Sequence, residues 1–309
     1  MIAFVFPGQG SQSVGMGKAF HDASPAARAV FEQANAALGF DLTRVMFDGP
    51  ETELALTANT QPAVLTASVA AAAACAERGL TPALAGGHSL GEYTALVVAG
   101  ALTLADAVRV VRKRGEFMQE AVPVGTGAMA AVMGLSLEAV EAACREAARG
   151  QVVEVANVNS AAQIVIAGHK AAVERAVALA GERGGKKSVL LPVSAPFHCA
   201  LMKPAADRLA AELERVTVRD PRIPVVRNVD AGLTRTASDV VPFLLSQVAS
   251  PVRWTDCMQR LAAEGASTFV EVGPGRVLTA LGRRIVEGAK AVSVEDPASL
   301  DKALAGATA

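Results

Sequence analysis

The stretch Gly87-His88-Ser89-Leu90-Gly91 constrains this chain more than any other. It follows a short apolar run, Leu84 to Gly86, and leads into a longer one, Ala95 to Leu102. Strand, sharp turn and buried helix form the setting in which G-x-S-x-G becomes a nucleophile elbow. Glycine at 87 and 91 lets strand and helix approach where a Cβ would clash, so Ser89 sits at the tip of the turn with its hydroxyl aimed into a cleft. The N–H of Leu90 then lies at the N-terminus of the new helix, ready to donate to an oxyanion. The bare pattern also fits a Gly-rich turn with an N-capping serine, and it is the flanking strand and helix that favour the elbow.

With 309 residues, 51% of them hydrophobic, the chain is long enough for one large domain or a domain with an insert. Lys and Arg number 29 against 30 Asp and Glu, so nothing global draws it to nucleic acid or an anionic membrane. With one Trp, one Tyr and abundant alanine, the composition suits helices packed around a sheet better than an all-β fold. Cys75, Cys144, Cys199 and Cys257 are widely spaced, which argues against a zinc site or disulfide framework and for a reduced, cytoplasmic setting. The N-terminal apolar run stops at Pro7 with no basic segment before it, so it reads as a strand and not a signal peptide. Ala63 to Ala76, the longest apolar stretch, contains Thr66 and Ser68 and falls short of a membrane span; it reads as a buried helix closed by Gly79.

Along the chain, Ile2 to Phe6 is an apolar strand followed by the tight loop Pro7-Gly8-Gln9-Gly10-Ser11-Gln12. That loop is either an ordinary strand-to-helix turn or one that brings an N–H close to a ligand. Helices are expected over 26–38 and 61–76. A helix over 103–119 opens with a Thr103/Asp106 box, and Leu104, Ala107, Val108, Val111 and Met118 form its core face. Arg109, Arg112 and Lys113 point away from that face, but Arg114 lies at its margin. A cation there needs a partner. Two accounts stand: a structural ion pair or snorkelling side chain, or a fork for a substrate carboxylate.

From about Gly125 to Ser194 the pattern changes. Strands over 128–133, 152–158, 164–167 and 188–193 and helices over 136–148 and 171–183 give the order βαββαβ of a ferredoxin-like unit. Such an insert would form a second wall over Ser89. Beyond it, strands are expected over 223–228 and 269–272, a helix ends near Gln247, and another runs over 277–286. The tail after Asp296 is weakly patterned. Among the histidines, His198 in the loop Ser194-Ala195-Pro196-Phe197-His198-Cys199 has the setting a general base would use. His21 and His169 stand beside charged residues, where exposure is expected, and His88 adjoins the elbow and suits packing.

Taken together these motifs resemble the malonyl-CoA:acyl carrier protein transacylases of fatty-acid and polyketide synthesis. The resemblance rests on Pro7 to Gln12, Gly87 to Glu92, Arg114-Gly115, Asn157-Val158-Asn159-Ser160, Phe197-His198, Gln247 before Ser250-Pro251-Val252, and Glu271-Val272-Gly273-Pro274-Gly275. It covers nearly the whole chain. It implies an α/β fold: an α/β-hydrolase-like core with a parallel sheet over 1–124 and 195–309, and a ferredoxin-like subdomain over 125–194. It implies Ser89 as nucleophile, His198 as base, and Gln247 orienting the histidine through its backbone carbonyl in place of a carboxylate. The N–H groups of Gln9 and Leu90 would form the oxyanion hole, and Arg114 would bind the malonyl carboxylate. Malonyl-CoA and acyl carrier protein would be the partners, with no metal or bound cofactor, and a monomer is the expected state.

Relatives that take methylmalonyl groups tend to carry Gln after the serine and Ser before the histidine. Here Leu90 and Phe197 stand there, and Phe197 would crowd an α-methyl. A methyl group is worth about 1–3 kcal/mol in a pocket, so the expectation is preference and not exclusion. Some bacterial members have a small residue in place of Phe197, which makes it a partial departure. Two alternatives stay open, a trans-acting polyketide acyltransferase and a serine thioesterase or hydrolase. The second would need an acid such as Glu154 or Glu174, and a carrier-binding scaffold would have no need of Ser89, Arg114 and His198 together. Lys186 and Lys187 are either carrier contacts or plain solvated surface.

Overall fold

The computed structural model of the protein describes residues 1–307. Among these residues, ten strands fall into two sheets: β1 (Ile2–Phe6), β2 (Leu84–Gly87), β3 (Gly127–Met133), β4 (Val153–Ser160), β5 (Gln163–His169), β6 (Lys187–Leu190), β7 (Val225–Val226), β8 (Leu233–Thr234), β9 (Thr268–Val272) and β10 (Lys290–Val294). The larger sheet has the order β10-β9-β1-β2-β7-β8. Its strands pair in parallel except at the β7–β8 edge, which is antiparallel, so the sheet is mixed and not purely parallel as the sequence suggested.

Helices cover both faces of this sheet, which is why its central strands are continuously apolar. Along β1 the side chains alternate between two cores: Phe4 and Phe6 join the larger, Ala3 and Val5 the one around Trp254, Met258 and Phe269. The helix Thr57–Glu77 is buried on nearly every side. Its alanines let neighbouring helices close in, and it ends at Gly79, whose φ of 78° suits glycine. The helix Leu104–Glu120 crosses it at Gly115, where a Cβ would fall 2.6 Å from the Thr57 carbonyl oxygen. That close approach carries Arg114 inward.

The smaller sheet has the order β4-β5-β3-β6, all antiparallel, backed by the helices Leu137–Ala148 and Lys170–Glu182. Alternation again sorts its side chains. Ala130, Val132, Ile164 and Ile166 pack under those two helices, while Met129, Ala131, Val165 and Ala167 face the larger core. Backbone bonds add to that packing: Val252 N donates to Ala156 O at 2.9 Å and Val158 N to Val252 O at 2.9 Å. Two of the sequence motifs, Asn157 to Ser160 and Ser250 to Val252, therefore meet at an isolated parallel bridge between Asn157 and Val252.

Several expectations need correction. The strand expected over 223–228 shrinks to β7, because Arg227 to Gly232 close into a turn held by Asp230. β4 runs through Ser160 and β5 begins at Gln163, so the hairpin turn shrinks to Ala161 and Ala162, shorter than the gap between the strands expected over 152–158 and 164–167. The weakly patterned tail contains a helix, Pro297–Ala307, whose start is capped by Asp296 and Ser299; Ser299 N donates to Asp296 Oδ1 at 2.7 Å. β8 and β10 carry too few residues, or too mixed a pattern, to announce themselves. His21 is not freely exposed: it packs edge-on against Phe31 and Phe47.

Candidate active site

The elbow forms because its two glycines touch backbone. A Cβ on Gly87 would lie 1.9 Å from the Gly91 carbonyl carbon, and one on Gly91 would lie 2.1 Å from Phe6 O. The helix Leu90–Val98 thus starts directly over the end of β1, and Ser89 is left with φ 52° and ψ −106°. His198 also has a positive φ, 61°. Such angles cost about 1–3 kcal/mol at a residue with a side chain, and they persist where surrounding structure over-determines them.

The two strained residues face each other. Ser89 Oγ and His198 Nε2 are 2.7 Å apart. His198 Nδ1 lies 2.9 Å from the backbone oxygen of Gln247, which only accepts, so Nδ1 carries the ring proton and Nε2 is free to accept from Ser89. No carboxylate takes the third place. Glu154, weighed above as an acid, instead accepts from Ala200 N at 2.8 Å and caps the turn that follows His198. Burial pulls His198 down to about 3, with the Arg114 charge adding to the effect. The imidazole is therefore neutral, the form a base must have.

Arg114 is 1% exposed. Its Nη1 donates to Gln61 Oε1 at 2.9 Å, and its Nη2 donates to Gln247 Oε1 at 2.9 Å and to Ser89 Oγ at 3.1 Å. The guanidinium lies 5.4 Å from the Tyr93 ring centroid, and its Nε is buried without a hydrogen-bond partner. All its acceptors are neutral. Of the two accounts open for Arg114, the structural one fits less well: the side chain is buried and not snorkelling, and its hydrogen bonds include none to a carboxylate, the Glu92 charge acting on it only from behind the Gln247 amide. A low-dielectric pocket of this kind attracts an anion, and a guanidinium fork fits a carboxylate.

These groups open into a cleft of about 550 Å³ between the two sheets, and Gln9, Leu90, Asn157, Phe197 and the segment Leu191–Ser194 line it as well. The Pro7–Gln12 loop is pressed on the elbow, since a Cβ on Gly8 would lie 2.5 Å from His88 O. All seven residues singled out in the sequence converge here: Ser89, His198 and Gln247 in one hydrogen-bonded line, Arg114 beside it, and Gln9, Leu90 and Phe197 on the walls. Lys186 and Lys187 do not join them; they are exposed at the start of β6, an edge strand of the small sheet.

The acyl transferase domain pattern matches residues 3–301. A Salmonella typhimurium malonyl CoA-acyl carrier protein transacylase is 52% identical over 98% of both chains. The chain belongs to the malonyl-CoA:acyl carrier protein transacylase family. It is an acyltransferase. An acyl carrier protein S-malonyltransferase structure from Vibrio cholerae superposes with a TM-score of 0.96 at 48% identity, covering 98% of this chain and 99% of that one. A malonyl-transacylase solved in complex with its type II PKS acyl-carrier protein gives 0.96 at 48% identity, with 99% of each chain covered.

Three residues of this transacylase were missed in the sequence. Gln61 holds Arg114 from within the longest helix, where an apolar reading hides it. Asn228 sits just past β7; its Oδ1 accepts from Ser89 N at 2.7 Å and its Nδ2 donates to Gly87 O at 2.7 Å, bracing the elbow from beneath. Glu92, on the first turn after Ser89, is 2% exposed, and burial lifts its carboxyl to about 7. A glutamate one turn into an apolar helix was the available signal. His88 keeps its expected packing role: it lies 5.6 Å from the Trp254 ring and its Nε2 is 2.9 Å from Asn159 Oδ1.

Proposed function

We propose that this acyltransferase moves malonyl groups from malonyl-CoA to the phosphopantetheine thiol of acyl carrier protein, supplying fatty-acid chain elongation by a ping-pong route through a Ser89 ester. The observation that carries this reading is the placement of Arg114 Nη2 3.1 Å from Ser89 Oγ, in the cleft where His198 faces the same oxygen. An ordinary esterase has no use for a buried guanidinium there; an acyl group with a distal carboxylate does.

The geometry supports the following course. Ser89 Oγ attacks the thioester carbonyl as its proton passes to His198 Nε2. The N–H groups of Gln9 and Leu90 hold the tetrahedral oxyanion. The carbon–sulfur bond then breaks, His198 returns the proton to the coenzyme A sulfur, and malonyl-Ser89 remains. In the second half the carrier thiol gives its proton to His198 and attacks the ester. Ser89 leaves and recovers its proton. The substrate carboxylate also neutralises Arg114, one of the causes holding His198 low. Binding the correct substrate therefore makes the base stronger. Leu90 and Phe197 narrow the wall beside the α-carbon and favour malonyl over methylmalonyl.

The fold is read as an α/β-hydrolase-like core over 1–124 and 195–309 with a ferredoxin-like subdomain over 125–194 that walls the cleft and keeps water off the ester. The enzyme works as a cytoplasmic monomer with no metal or bound cofactor. A second reading, service to a polyketide carrier, is favoured by the solved relative in complex with a type II PKS carrier. The test is single-turnover acylation with radiolabelled malonyl-CoA, followed by discharge onto fatty-acid or polyketide carrier, or water. Label on Ser89 that moves to carrier supports transfer, and the faster carrier names the pathway. Discharge to water at the same rate with and without carrier would support a hydrolase.

A further inference from the structure

Gln247 performs two tasks with separate atoms. Its backbone oxygen orients His198, and its side-chain Oε1 accepts from Arg114. The second task depends on which way the amide faces. Rotated by half a turn, the amide would set Nε2 against the Arg114 donor and lose that bond. What fixes it is on the far side: Nε2 donates to Glu92 Oε2 at 2.8 Å and to Ser89 O at 2.9 Å. Glu92 Oε2 also accepts from Asn228 N at 3.1 Å, and the Asn228 side chain holds both Ser89 N and Gly87 O.

We propose that Glu92 is a positioning residue for the anion clamp: through the Gln247 amide it fixes where the Arg114 guanidinium stands, and through Asn228 it ties that position to the elbow. Its Oε2 serves as an acceptor whether the carboxyl is ionised or carries its proton on Oε1. A carboxamide oxygen at the same place performs the same task. Glu92 touches no substrate; it acts through Gln247.

This inference rests on the malonyl-transfer reading. The test is a double-mutant cycle on the full chain with Glu92→Leu and Gln247→Met, the latter keeping the backbone carbonyl that faces His198. Enzyme acylation by malonyl-CoA and by acetyl-CoA is the readout. Glu92→Leu is expected to raise the malonyl-CoA KM about tenfold with a much smaller change in kcat, as for loss of a hydrogen bond to a charged group. The malonyl-to-acetyl ratio falls with it. Glu92→Gln keeps wild-type values to within about twofold, because its amide oxygen replaces Oε2. The double variant is no worse than Gln247→Met alone. Additive losses, or a Glu92→Gln variant as impaired as Glu92→Leu, overturn the assignment. Should Glu92→Leu not fold, Glu92→Asp, a methylene too short to reach Gln247, takes its place in the cycle. A wild type that does not transfer malonyl at all would instead overturn the functional reading.

Discussion

Arg114 and His198 meet at one atom: Nη2 of Arg114 lies 3.1 Å from Ser89 Oγ, and Nε2 of His198 lies 2.7 Å from it. The Ser89 hydroxyl is thus held between a cation that donates to its lone pair and a neutral imidazole placed to accept its proton. The guanidinium and the imidazole sense each other through a short, buried path.

The pH profile follows from that pairing. With burial first and Arg114 second, His198 is held near 3, far below an ordinary imidazole. Enzyme acylation by malonyl-CoA is therefore expected to show no acid limb at the ordinary imidazole value of about 6.5. In Arg114→Gln the charge is gone, and the His198 titration, followed by NMR of the imidazole protons, moves upward. A wild-type His198 titrating near 6.5 contradicts this.

Glu92 sets a stability dependence of opposite kind to a salt-bridged carboxylate. Burial lifts it from 4.5 to about 7. Between those values the folded chain binds more protons than the unfolded one, so stability falls as pH rises through this window, by about 3 kcal/mol once the folded group is fully ionised. Glu92→Gln removes the ionisation. Its Tm is expected to exceed that of the wild type at pH 8, with the gap closing toward pH 5. A gap that widens as the pH falls would show the sign to be wrong.

Gly115 is required by contact and not by backbone angle. A Cβ there meets Thr57 O at 2.6 Å and the Ala58 Cα at 2.9 Å. Gly115→Ala is expected to cost about 1–3 kcal/mol by overpacking and to push Arg114 away from Gln61. Denaturant melts and the malonyl-CoA KM, measured together, check both effects. A variant with unchanged stability would mean that the helices separate freely.

Ser89 stores backbone strain at the tip of the elbow. Ser89→Gly accepts φ 52° without penalty and is expected to gain about 1 kcal/mol after the entropic cost of glycine, while all acylation is lost. Ser89→Ala loses acylation without the gain. Thermal melts of the three proteins separate the outcomes, and equal Tm values would remove strain from the explanation.

Much of this was legible in the sequence because the informative residues are local. The elbow announces itself through Gly87 and Gly91, which lie four residues apart and touch. The Thr103 box is equally local: Asp106 N donates to Thr103 Oγ1 at 3.1 Å. Arg114 stood out as a cation at the edge of an apolar face. What stayed hidden is long-range. Gln61 and Asn228 act only because helices and strands far apart in sequence converge, and no periodicity marks them. Glu92 was read as part of a motif and not as a buried acceptor. The helix at 297–307 was missed because its cap, Asp296 with Ser299, precedes an alanine-rich run with little amphipathic contrast. The antiparallel β7–β8 edge consists of two-residue strands, too short for any alternation to show.

The most direct measurement is transfer from coenzyme A to acyl carrier protein by the wild type and Arg114→Ala, with malonyl-CoA and acetyl-CoA run side by side. If Arg114 is the carboxylate clamp, the variant loses malonyl transfer while keeping or gaining acetyl transfer. If malonyl and acetyl transfer fall together, Arg114 only supports the elbow, and the origin of malonyl selectivity lies elsewhere in the cleft.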